Sequence, residues 1–151
     1  MTTATRPTAA DLPAPWADRT GRALLAFDAL ATLGAFAQGI PRIADAADEQ
    51  VLTEFWRTTA YIVFAGMWAL LAIAPRKQRG MWELILVQKI AVTLFALVSL
   101  GKPEAAQTAI IDGFVVVTTV AAYILCRGWY TWRPDALGPD PARTAVRDIF
   151  R

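Results

Sequence analysis

The sequence predicts an all-α integral membrane protein, an up-down bundle of four transmembrane helices with both termini in the cytoplasm. Its 151 residues are 56% hydrophobic and only 19% charged, with a mean hydropathy of +0.38, which is too apolar for an ordinary soluble domain. Four apolar stretches are each about long enough to cross a bilayer. Basic residues gather beside alternate ends of these stretches, as the positive-inside rule describes.

The chain begins with a tail at residues 1–20 that is rich in Thr, Ala and Pro, a composition that predicts disorder. The first span follows at about residues 22–40 and ends before Pro41, near the short limit for a membrane helix. A cleavable signal peptide is the alternative interpretation, because the run starts with basic residues and contains Ala35-Phe36-Ala37. Asp28 interrupts the apolar run, so we favour a retained span.

Three further spans are predicted at about residues 55–74, 81–100 and 105–126. The longest connection, residues 42–54, precedes them; it is acidic, and its Ala, Gln and Leu content favours a helix. Short connections make consecutive helices antiparallel neighbours. The transmembrane domain is therefore expected at residues 21–133 as an up-down bundle.

A cytoplasmic tail is predicted at residues 134–151. Asp140 followed by Pro141 suits the cap and first turn of a short amphipathic helix, and a frayed tail is the alternative. Before the tail comes a cluster of aromatic and basic side chains typical of a membrane–water interface: Arg127, Trp129, Tyr130, Trp132 and Arg133.

The distribution of basic residues predicts the orientation of the bundle. Both tails and the short turn at residues 75–80 are basic, whereas the other two connections are acidic or nearly uncharged. Cytoplasmic segments carry the excess of Lys and Arg. We therefore expect a multi-pass protein of the cell membrane with both termini and this turn in the cytoplasm.

The residue types that are missing exclude much chemistry. The sequence has no His and one Cys, Cys126, so a histidine-ligated haem, the usual zinc sites, a Ser-His-Asp or Cys-His nucleophile and an internal disulfide cannot form. No cluster of carboxylates suggests a cation site, and we expect neither a metal nor a cofactor. The net charge of +2 is small, so a nucleic-acid partner is not expected.

Polar groups inside the predicted spans are the candidate functional residues, because a charge at mid-membrane costs roughly 3 kcal/mol on insertion scales. Lys89 lies in the middle of the third span, Asp28 in the first and Asp112 in the fourth. Helical spacing places each of them on a stripe of small or polar residues, the kind of surface that faces other helices. The expected ligand-binding set is Asp28, Tyr61, Gln88, Lys89, Asp112, Thr119 and Tyr123.

The sequence offers two acids as the ion-pair partner of Lys89 and does not decide between them. At 1.5 Å of rise per residue, Asp28 lies at a similar depth to Lys89, while Asp112 lies nearer the opposite surface but within reach of the lysine stem. Two other interpretations remain: Lys89 faces lipid and extends its amine to an interface, or a buried Asp–Lys pair simply fixes the register of the helices.

Three functions are consistent with these residues. Six Trp, small-residue faces and the lack of His favour a non-catalytic component. Such a component would bind a membrane lipid or another hydrophobic molecule, or act as an accessory subunit of a larger complex or a homo-oligomer. The first alternative is a small intramembrane enzyme of the isomerase or cyclase type, with Asp28, Lys89 or Asp112 as acid and base on a lipophilic substrate. The second is a small transporter, although repeats and broken helices are absent from the sequence.

Overall fold

The computed structural model describes residues 12–133, and within that range the structure is helical without strands. Its four α-helices are all long and apolar enough to cross a membrane, which is the architecture of a multi-pass membrane protein. The predicted all-α fold is thereby confirmed. The C-terminal tail and its amphipathic helix lie outside the described residues. The elements are α1 (Pro15–Ala44), α2 (Val51–Ile73), α3 (Met81–Val98), α4 (Ala105–Leu125) and a 3₁₀ helix (Gly128–Trp132).

Helix α1 is longer at both ends than its apolar run. It starts at Pro15, because the fixed φ of proline and its missing N–H suit the first turn of a helix. Residues 15–20, which were expected in the disordered tail, are therefore helical. The helix also continues through Pro41 into its last turn, where the backbone N–H of Asp45 donates to the Pro41 carbonyl.

The helices pack unequally around the bundle. Helix α1 packs against both α2 and α4, and α3 packs against α4, whereas α2 and α3 approach each other much less closely. We call the end that carries residues 74–80 the turn end, and the end that carries residues 45–50 and 99–104 the loop end. The buried apolar core gathers toward the turn end, around Leu25, Trp68, Leu71, Trp82, Ile85 and Cys126.

Two glycines allow α1 to approach its neighbours closely. A Cβ on Gly21 would overlap the Cys126 sulfur on the α4 side, and one on Gly39 would overlap the Thr58 side chain of α2. Small residues at such positions are typical of helix contacts in membranes, where close van der Waals packing drives association. These two contacts fix α1 against both partners.

Ion pairs at the turn end join α1 to the ends of α2 and α4. The Asp18 carboxylate accepts hydrogen bonds from Arg22, at 2.7 Å, and from Arg76. Arg22 also donates to the Ile73 carbonyl at 2.7 Å, and Arg76 donates to the Cys126 carbonyl at 2.9 Å. These bonds satisfy carbonyls that a helix end would otherwise leave without partners.

Large apolar side chains cover the outside of the helices. Such a surface would be a liability in water but is suited to contact with lipid tails. Members of this surface on successive helices include Leu30, Val63, Leu84, Val87, Phe95, Val98, Ile110 and Val117.

Candidate functional site

A cavity of about 410 Å³ extends from the middle of the bundle to the loop end, with walls from all four helices. Its size falls within the roughly 300–1,000 Å³ that is usual for small-molecule sites. Apolar side chains line much of it, including Ala35, Phe64, Trp68, Val92, Ile111 and Val115. The polar and charged groups on its walls include Gln38, Arg42, Arg57, Tyr61, Gln88, Lys89, Glu104 and Asp112.

The central charges of the cavity wall are Lys89 and Asp112, whose amine nitrogen and carboxylate oxygen are 2.7 Å apart. Their side chains are only 11% and 14% exposed. Of the two acids that the sequence offered to Lys89, the structure therefore selects Asp112. A pair on adjacent helices is the expected way to keep charges inside a membrane.

Two aromatic rings lie close to the Lys89 amine. The nitrogen lies 4.7 Å from the centre of the Phe64 ring and 5.7 Å from that of Trp68, both within the range of cation–π attraction. Phe64 and Trp68 lie off the stripe of small residues on α2, a position that favours contact with lipid or with a partner. Trp68 instead lies inside the bundle. Trp68 is fully buried, and its indole nitrogen donates to the Thr119 hydroxyl at 3.1 Å.

Asp28 forms a separate buried polar contact between α1 and α4. The Thr118 hydroxyl lies 3.0 Å from both Asp28 carboxylate oxygens, and no ion pair to Asp28 occurs within residues 12–133. The same hydroxyl lies 3.0 Å from the Val115 carbonyl. A hydroxyl has one proton to donate. The Thr118 proton is therefore shared between the Asp28 carboxylate and the backbone of its own helix.

The predicted site residues divide into two groups in the structure. Four line the cavity, namely Tyr61, Gln88, Lys89 and Asp112. The other three lie outside its lining: Asp28 contacts Thr118, Thr119 contacts Trp68, and Tyr123 packs its ring against Trp82 and Trp129 at the turn end.

An ion-pair cluster lies at the mouth of the cavity, at the loop end. Only one of its two ion pairs could be expected from the sequence. Arg57 pairs with Glu54, as expected for residues three apart on a helix. Its other guanidinium nitrogen contacts the Glu104 carboxylate at 2.6 Å. Glu104 lies just before α4 in a left-handed backbone conformation. Its proximity to α2 depends on how the helices pack, so spacing along the sequence could not reveal it.

Several uncharged polar side chains on the cavity wall have no hydrogen-bond partner among the described residues, and two of them, Gln88 and Tyr61, belong to the predicted ligand-binding set. The Gln88 amide makes no hydrogen bond there, and its oxygen is buried. The Tyr61 hydroxyl likewise has none. Buried polar groups are normally paired, and an unpaired one calls for an explanation such as a water or a ligand. Gln88 and Tyr61 therefore supply free hydrogen-bonding capacity to the cavity.

Cys126 is a packing residue at the turn end. It is fully buried, and its sulfur lies 3.7 Å from the Asp18 carbonyl. Burial, reinforced by the nearby Asp18 charge, raises the pKa of the Cys126 thiol to about 11. The thiol is therefore protonated at neutral pH, which keeps it unreactive because the thiolate is the nucleophile.

Residues 12–133 contain no group of three or more acidic or sulfur ligands that could hold a metal ion. Comparisons of the chain with protein families, with curated proteins and with solved structures found no match.

Proposed function

We propose that this protein binds a hydrophobic molecule, taken from the surrounding bilayer, in the cavity between its four helices and leaves that molecule chemically unchanged. The observation that carries the proposal is the cavity itself. It is large enough for a small molecule and bordered by aromatic and aliphatic side chains. Two of its central charges, Lys89 and Asp112, neutralise each other. Such a site gains affinity from apolar contact and needs no reactive group.

The proposal places the turn end in the cytoplasm and the cavity mouth on the outer side of the cell membrane. Support comes from the basic residues of the described chain that lie at the turn end: Arg19, Arg22, Arg76, Lys77, Arg79, Arg127 and Arg133. The positive-inside rule assigns such an end to the cytoplasm. The contacts from Asp18 to Arg76 and from Arg57 to Glu104 support an up-down order of the helices.

Access to the cavity is proposed to lie between α2 and α3. These two helices are the sparsely packed neighbours in the bundle, and both contribute side chains to the cavity wall. A gap at that seam would admit a molecule sideways from the lipid, so the ligand need not cross water. Phe64 of α2 and Val92 of α3 line the cavity beside it.

A cavity-filling substitution tests the binding proposal. Ala35 lines the cavity, and Ala35→Phe is expected to occupy space that the ligand needs. The protein would be reconstituted in lipid nanodiscs with a photoactivatable alkyl probe, and the labelled positions mapped by mass spectrometry. We expect labels on cavity-lining segments of the wild type and at least about tenfold less labelling there in Ala35→Phe, since bulk in a packed site excludes the ligand.

The matched control is Ala37→Phe, which adds the same ring to an exposed face of α1 and should leave cavity labelling unchanged. Equal labelling of cavity segments in the wild type and both variants would contradict the proposal. So would label confined to the outer, lipid-facing side chains of the wild type.

An intramembrane enzyme is a second candidate, favoured by one observation. An acid, an amine and a phenol (Asp112, Lys89 and Tyr61) line the same cavity, and such groups can act as acids and bases on a lipophilic substrate. The two functions differ in what happens to the bound molecule. Lipophiles extracted from nanodiscs after incubation should be recovered unaltered from a binding protein, whereas an isomerase would yield a new species.

A further inference from the structure

We infer that the cavity selects an uncharged lipophile that carries a hydroxyl or carbonyl oxygen, in preference to a plain hydrocarbon, an anion or a cation. The inference rests on the proposed binding function and names its ligand class. The central charges of the cavity neutralise each other, whereas uncharged groups on its wall have no hydrogen-bond partner within residues 12–133.

The charged pair deep in the cavity is neutralised internally, so it offers a charged ligand little net charge. The Lys89 amine donates to Asp112 at 2.7 Å, and two aromatic rings, Phe64 and Trp68, lie within 6 Å of it. An anion would have to compete with Asp112, and a cation would have to compete with Lys89. In either case the displaced partner would be left as an uncompensated buried charge, which is strongly unfavourable.

One of the two arginines at the cavity mouth is also neutralised by acidic side chains. Arg57 is held by the two carboxylates of Glu54 and Glu104. Arg42 also lines the mouth and is exposed, so an anion that contacted it would stay at the surface. Charged groups of the ligand therefore gain little by entering the apolar part of the cavity.

The uncharged groups offer unused hydrogen bonds. The Gln88 amide can donate and accept, and so can the Tyr61 hydroxyl, yet neither has a partner within residues 12–133. Because the whole Gln88 amide lacks partners, this conclusion holds whichever way the amide is turned. A ligand hydroxyl could bond both groups, and a ligand carbonyl could accept from either.

Aromatic walls complement these polar groups. Tyr61, Phe64 and Trp68 all come from α2 and border the cavity, and aromatic side chains favour contact with ring-bearing ligands. A site with apolar walls and a few well-placed polar groups gains orientation and specificity from the latter. The ligand class that matches is a neutral ring or chain lipophile with one or two oxygen groups.

The test uses four competitors built on one octyl-benzene scaffold: octylbenzene, para-octylphenol, ionised para-octylbenzoate and para-octylphenyl-trimethylammonium. Each competes with the photoactivatable alkyl probe for cavity labelling in nanodiscs, and its potency is the mole fraction in the bilayer that halves the labelling. In the wild type, para-octylphenol should be about fivefold to tenfold more potent than octylbenzene, the gain expected from a net hydrogen bond. Both charged competitors should be weaker than the phenol.

Two variants test whether Gln88 and Tyr61 cause the preference for the phenol over octylbenzene. Gln88→Met removes the amide at similar volume, and Tyr61→Phe removes the hydroxyl alone. Each should lower the phenol-to-octylbenzene potency ratio, by about fivefold for Gln88→Met. Because Gln88 loses no protein partner, Gln88→Met should melt in detergent at or above the wild-type temperature. Gln50→Met, at an exposed loop position, is the control and should leave the ratio unchanged.

The possible outcomes separate the ligand class from the binding function. If octylbenzene competes but the phenol is no better, or if a charged competitor is the most potent, the inference about ligand class is overturned while binding stands. An unchanged ratio in both Gln88→Met and Tyr61→Phe also overturns it. If the wild type shows no cavity labelling, the binding proposal and the inference fail together. Should Gln88→Met not fold, Tyr61→Phe decides the assignment.

Discussion

Replacing Lys89 with methionine is expected to lower the free energy of unfolding by about 3 kcal/mol, because Asp112 would remain as an uncompensated charge in the cavity wall. Adding Asp112→Asn in the Lys89→Met background should restore part of this loss, since the second substitution removes the orphaned charge. The measurement is reversible unfolding in mixed detergent micelles. The double-mutant cycle of these two residues should give a clear coupling energy, of at least about 1 kcal/mol.

The control cycle combines Lys89→Met with Asp28→Asn. Asp28 bonds to the Thr118 hydroxyl and not to Lys89, so the coupling energy in this cycle should be clearly smaller than that between Lys89 and Asp112. The reverse pattern, with coupling to Asp28 and additivity with Asp112, would contradict the pairing in the structure.

Gly21→Leu is expected to destabilise the protein by about 3 kcal/mol, the upper end of the cost of overpacking a close contact. A side chain at this position would collide with the Cys126 sulfur and press against the Leu125 Cβ and the Ala122 carbonyl at the end of α4. The collision would push α1 away from α4 and strain the Asp18–Arg76 ion pair beside it. Loss of stability would be measured by the same detergent unfolding.

Gly34→Leu is the matched control for this prediction. Gly34 lies in the same helix, and a Cβ added there would meet nothing within 4 Å. Leucine is a better helix former than glycine by up to roughly 1 kcal/mol, so Gly34→Leu should be neutral or stabilising. Equal losses at Gly21 and Gly34 would show that helix α1 is not held by close packing at Gly21.

Much of the fold could be predicted from hydropathy, because a membrane span needs a long apolar run. The extent of α1 could not. Apolar composition indicates which part of a helix lies in lipid, but it does not indicate where the backbone hydrogen bonds of the helix end. The hydropathy pattern therefore did not include the polar turn that begins at Pro15 or the turn beyond Pro41. Proline suits the beginning of a helix as well as its end, and the residue type alone does not distinguish the two.

The candidate site was less predictable than the fold. Depth along each helix left both Asp28 and Asp112 within reach of Lys89, and only the packing of α3 against α4 selects Asp112. The stripe of small and polar residues on α2 also did not predict that Trp68 is buried. Its ring is buried because it covers the Lys89 amine and donates to Thr119, and a hydropathy pattern does not encode such a role for an apolar side chain.

The central claim is that the cavity holds a hydrophobic molecule, and an experimental structure of the wild type in lipid nanodiscs tests it most directly. We predict elongated non-protein density between α2 and α3 that reaches Gln88 and Tyr61, and its loss in Ala35→Phe under the same conditions. A closed bundle, with the Gln88 amide bonded to protein and side chains filling the space between the helices, would contradict the claim.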